Sequence, residues 1–313
     1  EAAAIIGKGK AHVLDIGCND GTLLKCYPKN FVKFGIDPSD VAQEIKGDIK
    51  VVQDTFPSDQ LDRKSGGKKF NIITSIAMFY DLEDPVSFVK NIKISLSSEG
   101  IWILEMSYMP TMLKMNSYDT ICHEHLEYYS LAVIENILKR AGMKVVRVGM
   151  NDINGGSIRC YATHSDNAGF ANKEHLRSLD ALRQEEFDIE LDTDQPYRIF
   201  QDLINVHREE LTFLLKKLKT EGKKVHIYGA STKGNTILQW CGIDRFIIDY
   251  AADRNPDKNG ARTLGTDIPI ISEEESRAMD PDYYLVLPWH FKKEFMEREK
   301  EMISRGVGMI FPL

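Results

Sequence analysis

Val13-Leu14-Asp15-Ile16-Gly17-Cys18-Asn19-Asp20-Gly21-Thr22 runs from an apolar, strand-like segment through a glycine turn into the start of a helix. Gly17 and Gly21 let the backbone come close to a ligand, and Asp15 at the strand tip can meet an ammonium or a ribose hydroxyl. The next apolar run ends in Gly35-Ile36-Asp37-Pro38, which puts a carboxylate where a ribose diol would sit. A third run ends in Gln53-Asp54, an amide and an acid for an adenine edge, and a fourth exits into Ala77-Met78-Phe79-Tyr80-Asp81. The expected cofactor contacts are therefore Asp15, Gly17, Asn19, Asp20, Gly21, Asp37, Pro38, Asp54 and Ala77.

A doubly wound dinucleotide sheet would also carry a glycine at its first turn and an acid such as Asp37, so an NAD-type site competes on those two features. The order Gly17-Cys18-Asn19-Asp20-Gly21 nevertheless lacks a G-x-G-x-x-G phosphate loop and sets acids where a pyrophosphate would be repelled. A sulfonium cofactor carries an ammonium and no phosphate, so it tolerates those acids. The turn is read as a site for S-adenosyl-L-methionine.

Outward from this turn, β-branched runs at 12–16, 32–36, 49–53, 70–76 and 100–106 alternate with helical stretches, the pattern of a parallel sheet covered by helices. After a helix at 131–141, runs at 144–148 and 156–163 flank the Asn- and Gly-rich 151–156, which suits a hairpin. Five parallel strands closed by an antiparallel pair make an α/β fold, a class I methyltransferase Rossmann-like sheet. Residues 166–194 are polar, and 195–222 reads as one amphipathic helix on Ile199, Leu203, Val206, Leu211, Leu214, Leu215 and Leu218. Further strands are expected at 223–228, 246–249, 267–271, 283–287 and 308–311. The expected division is a cofactor domain at 1–165, a helical connector at 166–222 and a smaller α/β domain at 223–313.

Bulk properties narrow the function. At 313 residues and 42% hydrophobic, the chain can bury two moderate cores. A formal charge of -7, with lysines spread along helices, gives a nucleic acid backbone little to hold. The longest apolar stretch, around 72–80, falls far short of the ~20 residues a membrane span needs, so no membrane role is expected. The 5 cysteines are scattered without a Cys-x-x-Cys pair, which argues against a zinc knuckle or a disulfide framework and fits a reducing cytoplasm. A start at Glu1-Ala2-Ala3-Ala4, without a secretion signal, reads as a mature or trimmed product.

A second cluster is Tyr118-Asp119-Thr120-Ile121-Cys122-His123-Glu124-His125-Leu126-Glu127-Tyr128-Tyr129-Ser130, expected at the carboxyl edge of the first sheet. Two histidines around an acid suit proton transfer near neutral pH, which makes His123, Glu124 and His125 the catalytic candidates. The competing readings are a metal site and a hydrogen-bonded structural loop. The spacing is not that of a His-Glu-x-x-His zinc helix, and no metal is expected. Farther on, Gly229-Ala230-Ser231-Thr232-Lys233-Gly234-Asn235-Thr236 resembles a phosphate loop only superficially, because its lysine precedes the second glycine. Its backbone N–H groups and Lys233 suit a diphosphate. A tight turn into a helix with a solvated lysine explains the same residues equally well.

The first-strand motif, the His123-Glu124-His125-Leu126-Glu127-Tyr128-Tyr129-Ser130 block, Asn151-Asp152-Ile153-Asn154-Gly155-Gly156-Ser157, the Tyr228 to Thr236 turn, Asp253-Arg254-Asn255-Pro256-Asp257-Lys258 and Leu287-Pro288-Trp289 occur in one order. In these blocks, over essentially the whole length, the chain resembles the nucleotide-sugar C-methyltransferases. The resemblance implies a S-adenosylmethionine-dependent enzyme that methylates a carbon next to a ketone in a deoxysugar carried on a nucleoside diphosphate. It also implies an amino-terminal zinc domain, missing from this sequence, and a carboxyl-terminal α/β domain, here 223–313, that helps hold the nucleotide sugar. Glu124 and His125 fall on the family's acid and base. The substrate contacts it suggests are Tyr80, Asp81, Tyr118, Asn154, Gly156, Ser231, Lys233, Asn235, Lys258, Trp289 and His290. Cys122 stands where the antibiotic-sugar branch carries a tyrosine, and 77–81 lacks that branch's Asn and His. Sugar O-methylation, a silent nucleotide-sugar-binding module and an NAD-dependent sugar oxidoreductase remain as alternatives, the last without a dinucleotide loop.

Overall fold

The computed structural model describes residues 9–152, 155–170 and 172–313. Its strands are β1 (His12–Ile16), β2 (Val32–Ile36), β3 (Ile49–Val52), β4 (Phe70–Ile76), β5 (Leu96–Ser107), β6 (Met143–Asn151), β7 (Ser157–His164), β8 (Val225–Tyr228), β9 (Ala251–Asp253), β10 (Ile270–Ser272), β11 (Tyr283–Val286) and β12 (Gly308–Ile310). They form two sheets, ordered β3-β2-β1-β4-β5-β7-β6 and β10-β9-β8-β11-β12. In the first sheet β1 to β5 are parallel and β7 runs antiparallel to both β5 and β6, the class I methyltransferase layout.

Alternation along the strands sends side chains to both faces of this sheet. Leu14, Ile16, Ile73, Trp102 and Leu104 enter one apolar cluster, and Val13, Ile72, Ile101 and Ile103 enter another. A sheet buried on both sides needs helices on both sides, and polar residues start them where the sequence provides caps. Asp84 accepts from Ser87 N–H at 2.9 Å to start Pro85–Ser95, and Ser130 accepts from Val133 N–H at 3.3 Å to start Leu131–Arg140.

The chain divides into two compact units. The first comprises Glu1–Pro110, Leu126–Asp152 and Gly156–Glu190, and the second comprises Thr111–His125, Ile153–Gly155 and Leu191–Leu313. The expected connector at 166–222 is thus split. Helix Lys173–Asp188 belongs to the first unit because its buried Glu186 closes the start of Leu131–Arg140. That carboxylate accepts from the N–H groups of Leu131 and Ala132 and from the Tyr108 hydroxyl, the last two at 2.9 and 2.6 Å. Helix Gln195–Thr220 belongs to the second unit and buries Phe200, Ile204, Leu211, Leu215 and Leu218. Ile199, Leu203, Val206 and Leu214, assigned to its inner face from the sequence, are exposed.

The second sheet is wholly parallel, and its order reverses between β8 and β11. The strand expected at 246–249 is a turn: Asp244 accepts from Phe246 N–H through its side chain at 2.9 Å and from Ile247 and Ile248 through its carbonyl. The second strand of this sheet is β9 instead, a short Ala-Ala-Asp segment.

Gly35 on β2 shows how tightly the first turn is seated. A Cβ there would lie 2.7 Å from Cys18 Sγ and 3.0 Å from Leu24 Cδ1, both fully packed side chains. Gly35→Ala is therefore expected to cost about 1–3 kcal/mol by overpacking. Gly149→Ala, whose added methyl meets nothing within 4 Å, should change stability by less than about 0.5 kcal/mol. Urea unfolding midpoints of the two variants check the pair.

Candidate functional site

In the first unit, β1 delivers Asp15 and the chain then turns at Gly17, with φ +74°. Gly17 N–H donates to Ile36 O at 2.9 Å, which pins the turn to the end of β2. Asn19, at φ +45°, donates its N–H to Asp37 Oδ2 at 2.9 Å. The other Asp37 oxygen accepts from Ser39 N–H at 2.8 Å and from its hydroxyl. Burial works against ionisation of Asp37, but the hydrogen bonds from Ser39 and Asn19 outweigh it and hold the carboxyl below its ordinary range. The acid at the tip of β2 is a fixed anion that closes the turn.

Asp15 is buried and bonds the Thr74 hydroxyl. Burial pushes its pKa up to about 7, against the Thr74 bond and with a further upward push from Asp37. Asp15, Asp37 and Asp20 also act together on Cys18, whose thiol is raised first by burial and then by these three charges. A turn ringed by acids suits a cation and repels a pyrophosphate. At Gly21, φ +72°, a Cβ would stand 3.0 Å from Ile45 Cδ1. Two left-handed glycines, a fixed acid at the end of β2 and a buried carboxylate with no cationic partner among the described residues fit S-adenosylmethionine.

The remaining expected cofactor contacts divide. Ala77 takes φ +55°, unusual for alanine, and its N–H donates to Glu105 O at 2.8 Å. Asp20 is exposed and accepts from Thr22 N–H and Oγ1 at 2.9 and 2.8 Å. Asp54 is likewise engaged locally, by Ser58 Oγ at 2.7 Å and Thr55 N–H at 2.8 Å. Exposed Pro38 accepts from Gln53 Nε2 at 3.4 Å. Tyr80 is buried in the first core and its carbonyl accepts from Leu126 and Glu127 N–H, Asp81 is exposed, and Gly156 O accepts from Tyr108 N–H at 3.2 Å. Asn154 lies outside the described residues.

His123, Glu124 and His125 belong to the second unit. His125 is half-buried, and its ring hydrogen-bonds the carbonyl of Thr120. Burial lowers its pKa, the Thr120 bond opposes this, nearby Lys233 lowers it further and Glu124 raises it. The net direction is down, toward a neutral imidazole. Lys233 is itself lowered by burial, with Asp119 and Cys122 pulling the other way. His290 is driven down to about 4, by burial and then by Lys233. His125, His290 and Asp119 thus all sense the charge of Lys233.

Two residues expected to touch substrate are buried and hydrogen-bonded within the second unit. The buried Tyr118 hydroxyl meets His207 Nδ1 at 3.0 Å and Cys241 Sγ at 3.4 Å. Trp289, also buried, donates its indole N–H to Asp119 Oδ2 at 2.9 Å. Asp119 was not selected from the sequence. It is 1% exposed, and burial raises its pKa despite the Trp289 bond and the charge of Lys233. An acid beside Tyr118 carries no sequence sign that it will be buried against a tryptophan 170 positions away.

The other expected substrate contacts fall into two cavities. Ser231, Lys233, Lys258 and His290 line one of about 650 Å³. Asn235 lines another of about 470 Å³ with Cys122 and His123. His123 is therefore grouped with Asn235. Among the described residues, no group of three or more His, Cys, Asp or Glu is arranged to hold a metal, and no helix is long and apolar enough to cross a membrane.

Two family models match the chain. One described as C-methyltransferase C-terminal domain matches residues 152–313, and one described as a methyltransferase domain matches residues 2–148. The chain is 28% identical over 309 residues to the C-methyltransferase NovU of Streptomyces niveus, covering 96% of this chain and 72% of that protein. It is 27% identical over 150 residues to a tRNA U34 carboxymethyltransferase of Campylobacter jejuni (strain RM1221), covering 44% of this chain and 50% of that one. Of solved structures, a SAM-dependent methyltransferase from Aquifex aeolicus aligns with 50% of this chain and 84% of its own at a TM-score of 0.38 and 16% identity.

Asp15 generates a pH prediction. Its carboxyl is raised to about 7, so below that pH it must release a proton to meet a cationic ligand, and above it the anion is ready. S-adenosylhomocysteine affinity should rise with pH up to about 7 and then level. Calorimetry below pH 7, in buffers of different ionisation enthalpy, should show proton release on binding, and Asp15→Asn should abolish that release.

Proposed function

This chain belongs to the C-methyltransferase family, as a S-adenosylmethionine-dependent methyltransferase with the family's carboxyl-terminal domain at residues 152–313, and we propose that it methylates the carbon next to the ketone of a nucleoside-diphosphate keto-deoxysugar. The observation that carries this reading is His125, whose ring bonds the Thr120 carbonyl and is pushed by its burial toward the neutral form. With one nitrogen's hydrogen committed to a carbonyl, the other nitrogen keeps a lone pair for a proton. A ketone makes the neighbouring C–H acidic enough to be removed only if the enolate is stabilised as it forms.

In this mechanism His125 takes the α-proton and Glu124 supports the imidazolium, in keeping with its effect on the ring's pKa. Lys233 offsets negative charge on the substrate, in keeping with its burial and its reach to His125 and His290. Bound S-adenosylmethionine supplies an electrophilic methyl group. Asp15, Asp37 and the Gly17 to Gly21 turn are the residues that would hold it, so the transfer needs no covalent link to the protein. The five free cysteines fit a reducing compartment such as the cytoplasm.

Incubation with labelled cofactor and a panel of dTDP-, CDP-, GDP- and UDP-4-keto sugars is expected to transfer label to carbon in at least one of them. Label on oxygen, or on none, would sink the proposal. Without cofactor, the enzyme should wash deuterium from the α-carbon of the accepted sugar. His125→Ala should lower turnover by ~100-fold or more and leave S-adenosylhomocysteine affinity nearly intact. Because the folded pKa of His125 lies below its ordinary value, kcat/KM for the sugar, measured at saturating S-adenosylmethionine so that Asp15 is already ionised, should stay level down to about pH 6.5 and fall only below it.

A further inference from the structure

The second sheet carries a charged cavity at the edge away from the Gly229 turn. Lys224, Tyr250 and Pro269 come immediately before β8, β9 and β10, three parallel neighbours that begin on this side. A cavity of about 510 Å³ opens there, lined by Lys224, His226, Arg245, Asp249 and Arg262, among others. Ligands of open parallel sheets ordinarily sit at the carboxyl ends of the strands. Cations gathered at the opposite ends are therefore not something the fold requires.

One acid draws the two arginines together. Asp267, at φ +57°, has its carboxylate 3.0 Å from Arg245 Nη1 and 3.2 Å from Arg262 Nη1, and its carbonyl accepts from Arg262 Nη1 at 2.9 Å. The Nε and Nη2 groups of both arginines donate to no described residue. Lys224 donates to Met279 O at 3.0 Å, which leaves two of an ammonium's three hydrogens for a ligand. Asp249, the acid in the cavity, lies 3.8 Å from Lys219 Nζ, which offsets its charge. The surplus around the cavity is positive.

His226 adds a directed donor. It is 2% exposed, its Nδ1 meets Ser276 Oγ at 2.8 Å, and Ser276 Oγ in turn meets the Tyr284 hydroxyl at 2.9 Å. Tyr284 is fully buried and its hydroxyl has Ser276 as its one described partner, so it donates to Ser276, Ser276 donates to Nδ1, and the ring hydrogen stays on Nε2. Burial lowers the pKa of this ring, with Asp249 opposing and Lys224 assisting, which keeps it neutral. Nε2 bonds no described residue, so its N–H is open to the cavity that His226 lines. We infer that this cavity is an anion site for a phosphate group, free or as a phosphomonoester, held by Arg245, Arg262, Lys224 and the Nε2–H of His226. A phosphate offers several charged acceptors at once, which suits two guanidinium forks, an ammonium and a fixed N–H. The inference does not depend on the acceptor proposed above.

Calorimetric titration of the full chain with inorganic phosphate and with glycerol 3-phosphate, at constant ionic strength in chloride, tests this. The wild type should bind at least one of them, and Arg245→Gln, Arg262→Gln and His226→Asn should each weaken that binding roughly tenfold or more, the scale of a lost hydrogen bond to a charged group. The two arginines are about half exposed, so their variants should keep the wild-type urea midpoint. His226→Asn keeps an acceptor for Ser276 and removes the Nε2 donor. Arg305→Gln, which alters an exposed cation outside the cavity, should leave the affinity within about twofold. Tighter binding of the ester assigns the site to a phosphorylated metabolite, and tighter binding of phosphate assigns it to the free ion. If the wild type binds neither, the assignment is overturned. Binding that survives Arg245→Gln and Arg262→Gln unchanged overturns it too, because the anion would then lie elsewhere, and so does an equal loss in Arg305→Gln, which would make the effect one of diffuse charge.

Discussion

A chain that leaves a parallel strand and enters a helix has backbone N–H groups that neither the sheet nor the helix can satisfy. Here the neighbouring strand's terminal acid satisfies them, Asp37 for Asn19 and Asp253 for Ala230. Everything functional depends on that arrangement. It fixes the turn in a left-handed glycine conformation, aims the following helix and leaves a carboxylate at the strand's carboxyl end, where a reversal of strand order opens a crevice. Those reversals fall beside β1 in the first sheet and beside β8 in the second.

Electrostatics then separates the two turns. Acids collect around the first, and burial drives Asp15 toward its neutral form until a cation arrives. Lys233 stands near the second, where burial first and then its charge lower the pKa values of His125 and His290. The His123 to His125 segment is held in the second unit by contacts on residues just before it. Tyr118 meets His207, Asp119 takes the Trp289 indole N–H, and Thr120 offers its carbonyl to the His125 ring. The last of these bonds commits one nitrogen of the imidazole to a carbonyl.

Strong local patterns were readable from the residues. β1, β2 and β4 lie where runs of Val, Ile, Leu and Phe meet glycine turns, and the helix at 195–220 follows its apolar repeat. β9 was missed because Ala-Ala-Asp has little strand preference of its own and is held by pairing to β8 and β10. The apolar run at 246–249 was mistaken for a strand because the Asp244 turn competes for the same N–H groups. On the long helix, Ile204 and Phe200 took the inner face that Ile199 and Leu203 were assigned, since an apolar list without a partner surface cannot fix the helix's rotation.

The sequence by itself determined the turn chemistry and the charge of its ligand, because glycine spacing, strand-end acids and the absence of a phosphate loop act within about forty residues. It also carried the order of blocks that marks the family. Only the tertiary structure decided the protonation bias of His125, the bonds of buried Tyr118 to His207 and of buried Trp289 to Asp119, and the likeness of Asp253 to Asp37. Each of these rests on burial or on a hydrogen bond between residues far apart in the chain. Such quantities arise only when distant segments exclude water from one another.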